Sequence, residues 1–250
     1  TGSNAAGTLT LSSAISKTSG GNATLSLTGG TININQTISG SSSSGSLGIT
    51  LDAQTINSNY LMTVNGGALD VTTVNASTLG AVAGSGQFNL HGYGITLSDS
   101  LNGTFTGATT IDSGATLQLN SGKLGGDITN NGTLYFYNPS SVNYAGVISG
   151  SGNVKQNYGS LYLSGANTYS GGSTIKAGIL QGNYTAVSAS TSSFGANTGT
   201  ITIGNTSGSD SATLLVGYTG LIYAQPIVLA TGTSGTLTIG NTGTAISTTF

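Results

Sequence analysis

Six aspartates and one histidine are the only side chains in this 250-residue chain suited to acid–base work near neutral pH. The acids are Asp52, Asp70, Asp99, Asp112, Asp127 and Asp210, and the histidine is His91. A glycosidase needs two carboxyls facing one bond at about 5 to 10 Å. Asp112 and Asp127, fifteen residues apart, are close to one coil in spacing, so stacking of successive turns could pair them. Each lies in a Gly- or Asn-rich stretch, where Asp commonly closes a turn through its own side chain. His91 would need a nucleophile beside it for triad chemistry, and the nearest serines, Ser98 and Ser100, flank Asp99 in an ordinary turn pattern. The expectation is a hydrogen-bonded or solvated histidine and no enzyme. No His/Asp cluster and no Ca²⁺ nonapeptide is present, so neither a metal nor a cofactor is expected.

The composition excludes several partner classes. All four basic residues are Lys, and a net charge of −2 provides no footprint for nucleic acid. Absence of Cys removes disulfides and thiolate sites. No apolar run reaches the roughly 20 residues of a membrane-spanning helix, and no basic, then apolar leader opens the chain. Any export signal is therefore expected upstream of Thr1. Seven Asn-x-Ser/Thr triplets, at Asn22, Asn35, Asn75, Asn102, Asn131, Asn183 and Asn205, are about as many as chance provides in so Asn-, Ser- and Thr-rich a sequence.

Forty-two glycines and 4% charged residues would suit a disordered chain, and periodicity decides against it. Apolar and polar residues alternate over Thr8–Leu11, Thr31–Ile34, Thr116–Leu119, Thr133–Tyr137, Ser160–Leu163, Thr200–Ile203 and Thr236–Ile239. Each reads as a strand with one buried face. Gly114, Gly132, Gly159, Gly178 and Gly199 precede strands at spacings of 18, 27, 19 and 21 residues, the length of a solenoid coil. Ser39 to Ser46 and Thr185 to Ser193 read as extruded loops, and Asp52 to Ala83 repeats less regularly. Aligning the coils places Leu117, Leu134, Leu161 and Leu180 in one inward column, and Leu119, Phe136 and Leu163 in the next. Gln118, Tyr135, Tyr162 and Gln181 then form an outward ladder flanked by Tyr137. Tyr135, Tyr137 and Tyr162 are the candidate surface for a ligand or for assembly, with ladder support as the plainer role.

Residues Ile148 to Gly182 carry a longer signal: Ser164-Gly-Ala-Asn-Thr-Tyr-Ser-Gly-Gly172 followed by Ala177-Gly-Ile-Leu-Gln181. This resembles the autotransporter-associated β-strand repeat, or passenger-associated transport repeat. Phe105 to Leu119 is similar to the second half of another copy. Asn157-Tyr158 departs from the repeat, which usually has a small residue there. The resemblance implies a secreted bacterial passenger, carried over the outer membrane by a C-terminal β-barrel that these 250 residues lack, so an excised or processed segment is expected.

The expected fold is all-β, a right-handed parallel β-helix (β-solenoid) of about a dozen coils, forming a single segment over residues 1–250. The expected role is an extracellular scaffold or adhesin stalk. Its expected partners are glycans or proteins on a host or biofilm surface. The alternatives are a filament subunit stacked end to end with its own copies and, more remotely, a polysaccharide-active enzyme.

Overall fold

Strict alternation organises the described part of the chain. In Leu47–Ser58, Leu47, Ile49, Leu51 and Ala53 are buried while the residues between them are half-exposed. The computed structural model describes residues 7–40, 45–97, 104–120, 124–218 and 223–242. Every strand pairing between named strands is parallel, and no helix occurs among the described residues. The strands stack as a β-solenoid of about ten turns, fewer than the dozen expected, because some turns take up long insertions. Gly178, for instance, pairs with Ala212, with residues 183–199 intervening.

The chain divides into two compact units, Thr1–Asp127 and Ile128–Phe250. In the first, Ala23–Ile34 and Leu47–Ser58 each cross two faces of the coil. Ala68–Thr73 and Gln87–Gly92 continue one face, and Ser77–Leu79 and Gly94–Leu97 continue the other. Ile15–Lys17, Ile38–Gly40, Met62–Thr63 and Val82–Ala83 stack as a third ladder. Asp52 to Ala83, irregular in sequence, is in full register. Inside runs a column of Leu27, Leu51, Val71, Leu90 and Ile111, each beside the next and all buried.

In the second unit Thr133–Tyr144 pairs with Asn153–Leu163. Asn153–Leu163 is followed on its two faces by Ser173–Ile175 and Gly178–Gly182. Those strands pair in turn with Ile201–Ile203 and Ala212–Val216. Thr185 to Thr191 is exposed or half-exposed, as an extruded loop should be. Ser192, Ser193 and Phe194 are fully buried, so the insertion folds back into the interior. Of Ser39 to Ser46, Ser39 and Gly40 complete a strand, and 41–44 lie outside the described residues.

Glycines let the corners of successive coils touch. A Cβ on Gly86 would stand 2.3 Å from the Gly67 carbonyl oxygen, one on Gly107 1.6 Å from that of Gly86, and one on Gly126 1.9 Å from that of Gly107. No side chain fits this column at the observed coil spacing. Gly114 differs: its φ is +83° but open space surrounds it. Gly114→Ala should therefore cost only the left-handed strain, about 1 to 2 kcal/mol. Gly107→Ala must separate two coils, and its urea midpoint should fall well below that of Gly114→Ala. Equal midpoints would show that the corner contact is soft.

Candidate functional site

The tyrosines are the first candidates to place. Register puts Tyr135 beside Lys155, with Lys176 Nζ 5.7 Å from the Tyr135 ring centroid. Tyr162 lies between Asn143 and Gln181. The expected Tyr135–Tyr162 ladder is thus not formed, nor are the Leu134–Leu161 and Phe136–Leu163 columns. Thr133–Tyr144 turns from one face to the next at a register shift near Tyr137, so Leu134 faces Val154 while Val142 faces Leu161. The 27-residue interval from Gly132 to Gly159 is one coil plus a step between faces. The pair that does form is Tyr137 with Tyr158, ring centroids 6.0 Å apart and planes 24° from parallel, both about half exposed. Tyr158, the departure from the repeat, completes the only stacked aromatic pair among the described residues.

A second cluster escaped the sequence reading. Asp112 follows Thr109–Ile111 and His91 lies in Gln87–Gly92, so stacking sets them side by side. His91 Nδ1 donates to Asp112 Oδ2 at 2.6 Å, and its Nε2 lies 3.9 Å from Asp70 Oδ1. Asn89 Nδ2 donates to that same Asp70 oxygen at 2.8 Å. Stacking therefore gives Asp112 a histidine neighbour, where an Asp112–Asp127 pair was considered. A carboxylate that orients an imidazole is one part of a general base. The register partner of His91 is Thr72, and Ser98, Asp99, Ser100 and the Asn102 triplet lie outside the described residues. No group of three potential metal ligands occurs among the described residues. What the arrangement does do is hold His91 between Asp112, in the next coil, and Asp70, a diagonal neighbour whose own register partner is Asn89.

The residues that carry the repeat signal point inward. Asn167 is fully buried; its Oδ1 accepts from Ile148 N at 2.8 Å and its Nδ2 donates to Ser193 O at 2.7 Å. Tyr169 is buried beside it, its hydroxyl 2.7 Å from Ser173 Oγ. Burial pushes this phenol far above its ordinary range, and the Ser173 hydrogen bond offsets only part of that, so Tyr169 stays neutral. Gln225 Nε2 donates to Ser192 Oγ and to Gly195 O, and Phe194 packs on Tyr223 with centroids 5.1 Å apart.

A family model described as the passenger-associated transport repeat matches residues 95–119 and 154–181. The chain carries passenger-associated transport repeats. In each matched stretch one strand is followed by two more, making about one coil: Gly94–Leu97 to Thr116–Leu119, and Asn153–Leu163 to Gly178–Gly182. The chain is also 33% identical over 135 residues to the adhesin BmaC autotransporter of Brucella suis biovar 1 (strain 1330). That match covers 52% of this chain and 4% of the relative, so the chain spans a small part of the protein it resembles. No solved structure matches the chain. The two matches together support autotransporter passenger sequence.

Asn167 and His91 should separate structural from surface roles. Asn167→Ala leaves Ile148 N–H and Ser193 C=O unpaired in the interior, at a cost of about 2 to 4 kcal/mol. His91→Gln loses one surface contact and should cost no more than about 1 kcal/mol. Urea unfolding of both passenger variants measures the difference. A mild Asn167→Ala variant would mean that the insertion after Gly182 is not anchored as described.

Proposed function

We propose that this chain is a stalk section of a surface-exposed adhesin passenger, holding binding regions away from the cell without catalysing a reaction. The observation that carries this reading is the in-register parallel pairing of strands within each repeat match. Such a ladder commits most side chains to stacking and leaves few for chemistry. The name of the Brucella relative, an adhesin autotransporter, supports the same role. Tyr137 and Tyr158 present exposed aromatic surface for contact with host or biofilm material, and Tyr135 and Tyr162 adjoin the same strands.

Association of coils supplies a second reading. Leu229 and Ile239 are in register with the buried Ile203 and Leu214, yet are 53% and 43% exposed. That edge can accept a further coil, from the same polypeptide or from a second copy. Sedimentation of the purified chain tells the two apart: a monomer assigns the edge to intrachain stacking, and reversible oligomers assign it to assembly.

On intact bacteria expressing the full-length protein, an antibody against this section should label cells without permeabilisation. In-frame deletion of the section should reduce attachment to a test surface. Labelling only after permeabilisation overturns the stalk reading. Release of reducing ends from a polysaccharide panel, abolished by Asp112→Asn or His91→Gln, would replace it with an enzymatic one.

A further inference from the structure

Among the described residues, the two most exposed large apolar side chains are Tyr93, 60% exposed, and Val74, 56% exposed. They occupy the same corner of successive coils. Thr73 pairs with Gly92, and Val74 and Tyr93 follow those two residues directly. Neither position is loose. Tyr93 N donates to Thr73 O at 2.8 Å, and Thr116 N donates to Tyr93 O at 2.9 Å, so the corner is bonded to the coils on both sides. Gly92, with φ +88° and no room for a Cβ beside Thr73 O, makes the turn that places Tyr93 on the surface.

Next to Tyr93 the surface dips into a hollow of about 300 Å³. Gly94 and Gly114 supply no side chain there, and Thr96, Thr116 and Gln118 line its polar part. Gly94 sits beside Thr116 and Thr96 beside Gln118, so the polar groups form two adjacent rows. Gln118 Nε2 is held by Asn120 Oδ1 at 2.9 Å, a bond that does not engage its amide oxygen. No lining residue is charged.

We propose that this hollow binds a neutral sugar ring of a surface glycan, with Tyr93 as the aromatic wall and Thr96, Thr116 and Gln118 as hydroxyl and amide partners. A pyranose has an apolar C–H face and a rim of hydroxyls, which match one aromatic ring and a row of neutral donors and acceptors. An anionic sugar or a phosphate would call for Arg or Lys, and neither lines the site. A protein partner needs about 800 Å² on each side, far more than this hollow offers. Backbone bonds on both sides fix Tyr93 before binding, which lowers the ordering cost of a weak ligand.

Gly94 provides an independent blocking variant. Its φ is not positive, and a Cβ there would meet nothing closer than 3.8 Å, so Gly94→Leu fills the floor without disturbing the ladder. The purified 250-residue chain is applied to an array of immobilised oligosaccharides ending in neutral hexoses, N-acetylhexosamines, uronates or sulfated sugars. Binding to neutral termini is expected, reduced at least tenfold by Tyr93→Ala and by Gly94→Leu at unchanged thermal midpoint, and retained by Tyr93→Phe. Tyr218→Ala, which removes a comparably exposed ring in the other unit, should leave the signal unchanged. Absence of binding to every neutral glycan, a signal confined to acidic ones, or binding that survives both Tyr93→Ala and Gly94→Leu overturns the assignment. A section that binds no sugar can still be a displayed stalk, and a sugar-binding section need not be displayed, so surface labelling and the array fail independently.

Discussion

In-register parallel hydrogen bonding between coils is the constraint on which the rest of this structure depends. Once each strand pairs with its equivalent one coil away, every side chain acquires a like-positioned neighbour at about 4.8 Å. Inward positions are then mostly apolar, as in the column from Leu27 to Ile111. Outward positions must tolerate repetition, and stacked like charges would repel. Neutral hydrogen-bonding pairs solve this: Asn57 Nδ2 donates to Asn33 Oδ1, and Ser39 Oγ to Ser16 Oγ. The 4% charged content is a consequence of that geometry. Where two carboxylates come close, in Asp70 and Asp112, a histidine lies between them.

Alternation and coil length were legible in the sequence because both are local patterns. Inward and outward faces of Thr116–Leu119, and the pairing of Leu161 with Leu180, follow from them directly. Phase around the coil was not. Leu134 and Val142 are both inward residues of one long strand on two different faces, so Leu134 and Leu161 look equivalent until hydrogen bonding separates them. The tyrosine ladder failed for that reason alone. The contact of His91 with Asp112 was hidden differently. His91 and Asp112 are 21 residues apart, one coil, yet chemical motifs are usually sought among near neighbours in sequence. Applying the coil period to each titratable residue would have exposed it. The glycine column at Gly67, Gly86, Gly107 and Gly126 carries the same period, but forty-two glycines conceal any one row.

The repeat resemblance predicted fold and setting better than it predicted a ligand, and the side chains explain why. Asn167 bridges Ile148 to the insertion at Ser193, and Tyr169 closes on Ser173, both wholly inside. Replacing either by a smaller apolar group would leave buried polar atoms without partners, which costs more than the net value of a hydrogen bond. The motif is therefore a device for closing a coil around a long excursion. Residues 183–199 are that excursion, and their buried end, Ser192 to Phe194, plugs the coil that the motif opens. A signal of this kind specifies how a passenger folds and says nothing of what it touches.

Contact with other molecules must then fall where the ladder leaves freedom, at the bends. A bulky side chain on a flat face has to match its neighbours in the coils before and after, whereas at a bend the strands diverge and the neighbour can be glycine. The exposed tyrosines obey this. Tyr60, Tyr93 and Tyr218 each lie one or two residues beyond a strand end, and Tyr137 and Tyr158 meet at a register shift. At such positions an aromatic group can be gained or lost without altering the register that holds the coils together. One scaffold can accordingly carry different recognition surfaces, and the corner beside Tyr93 and Gly114 brings aromatic area, polar groups and open volume together.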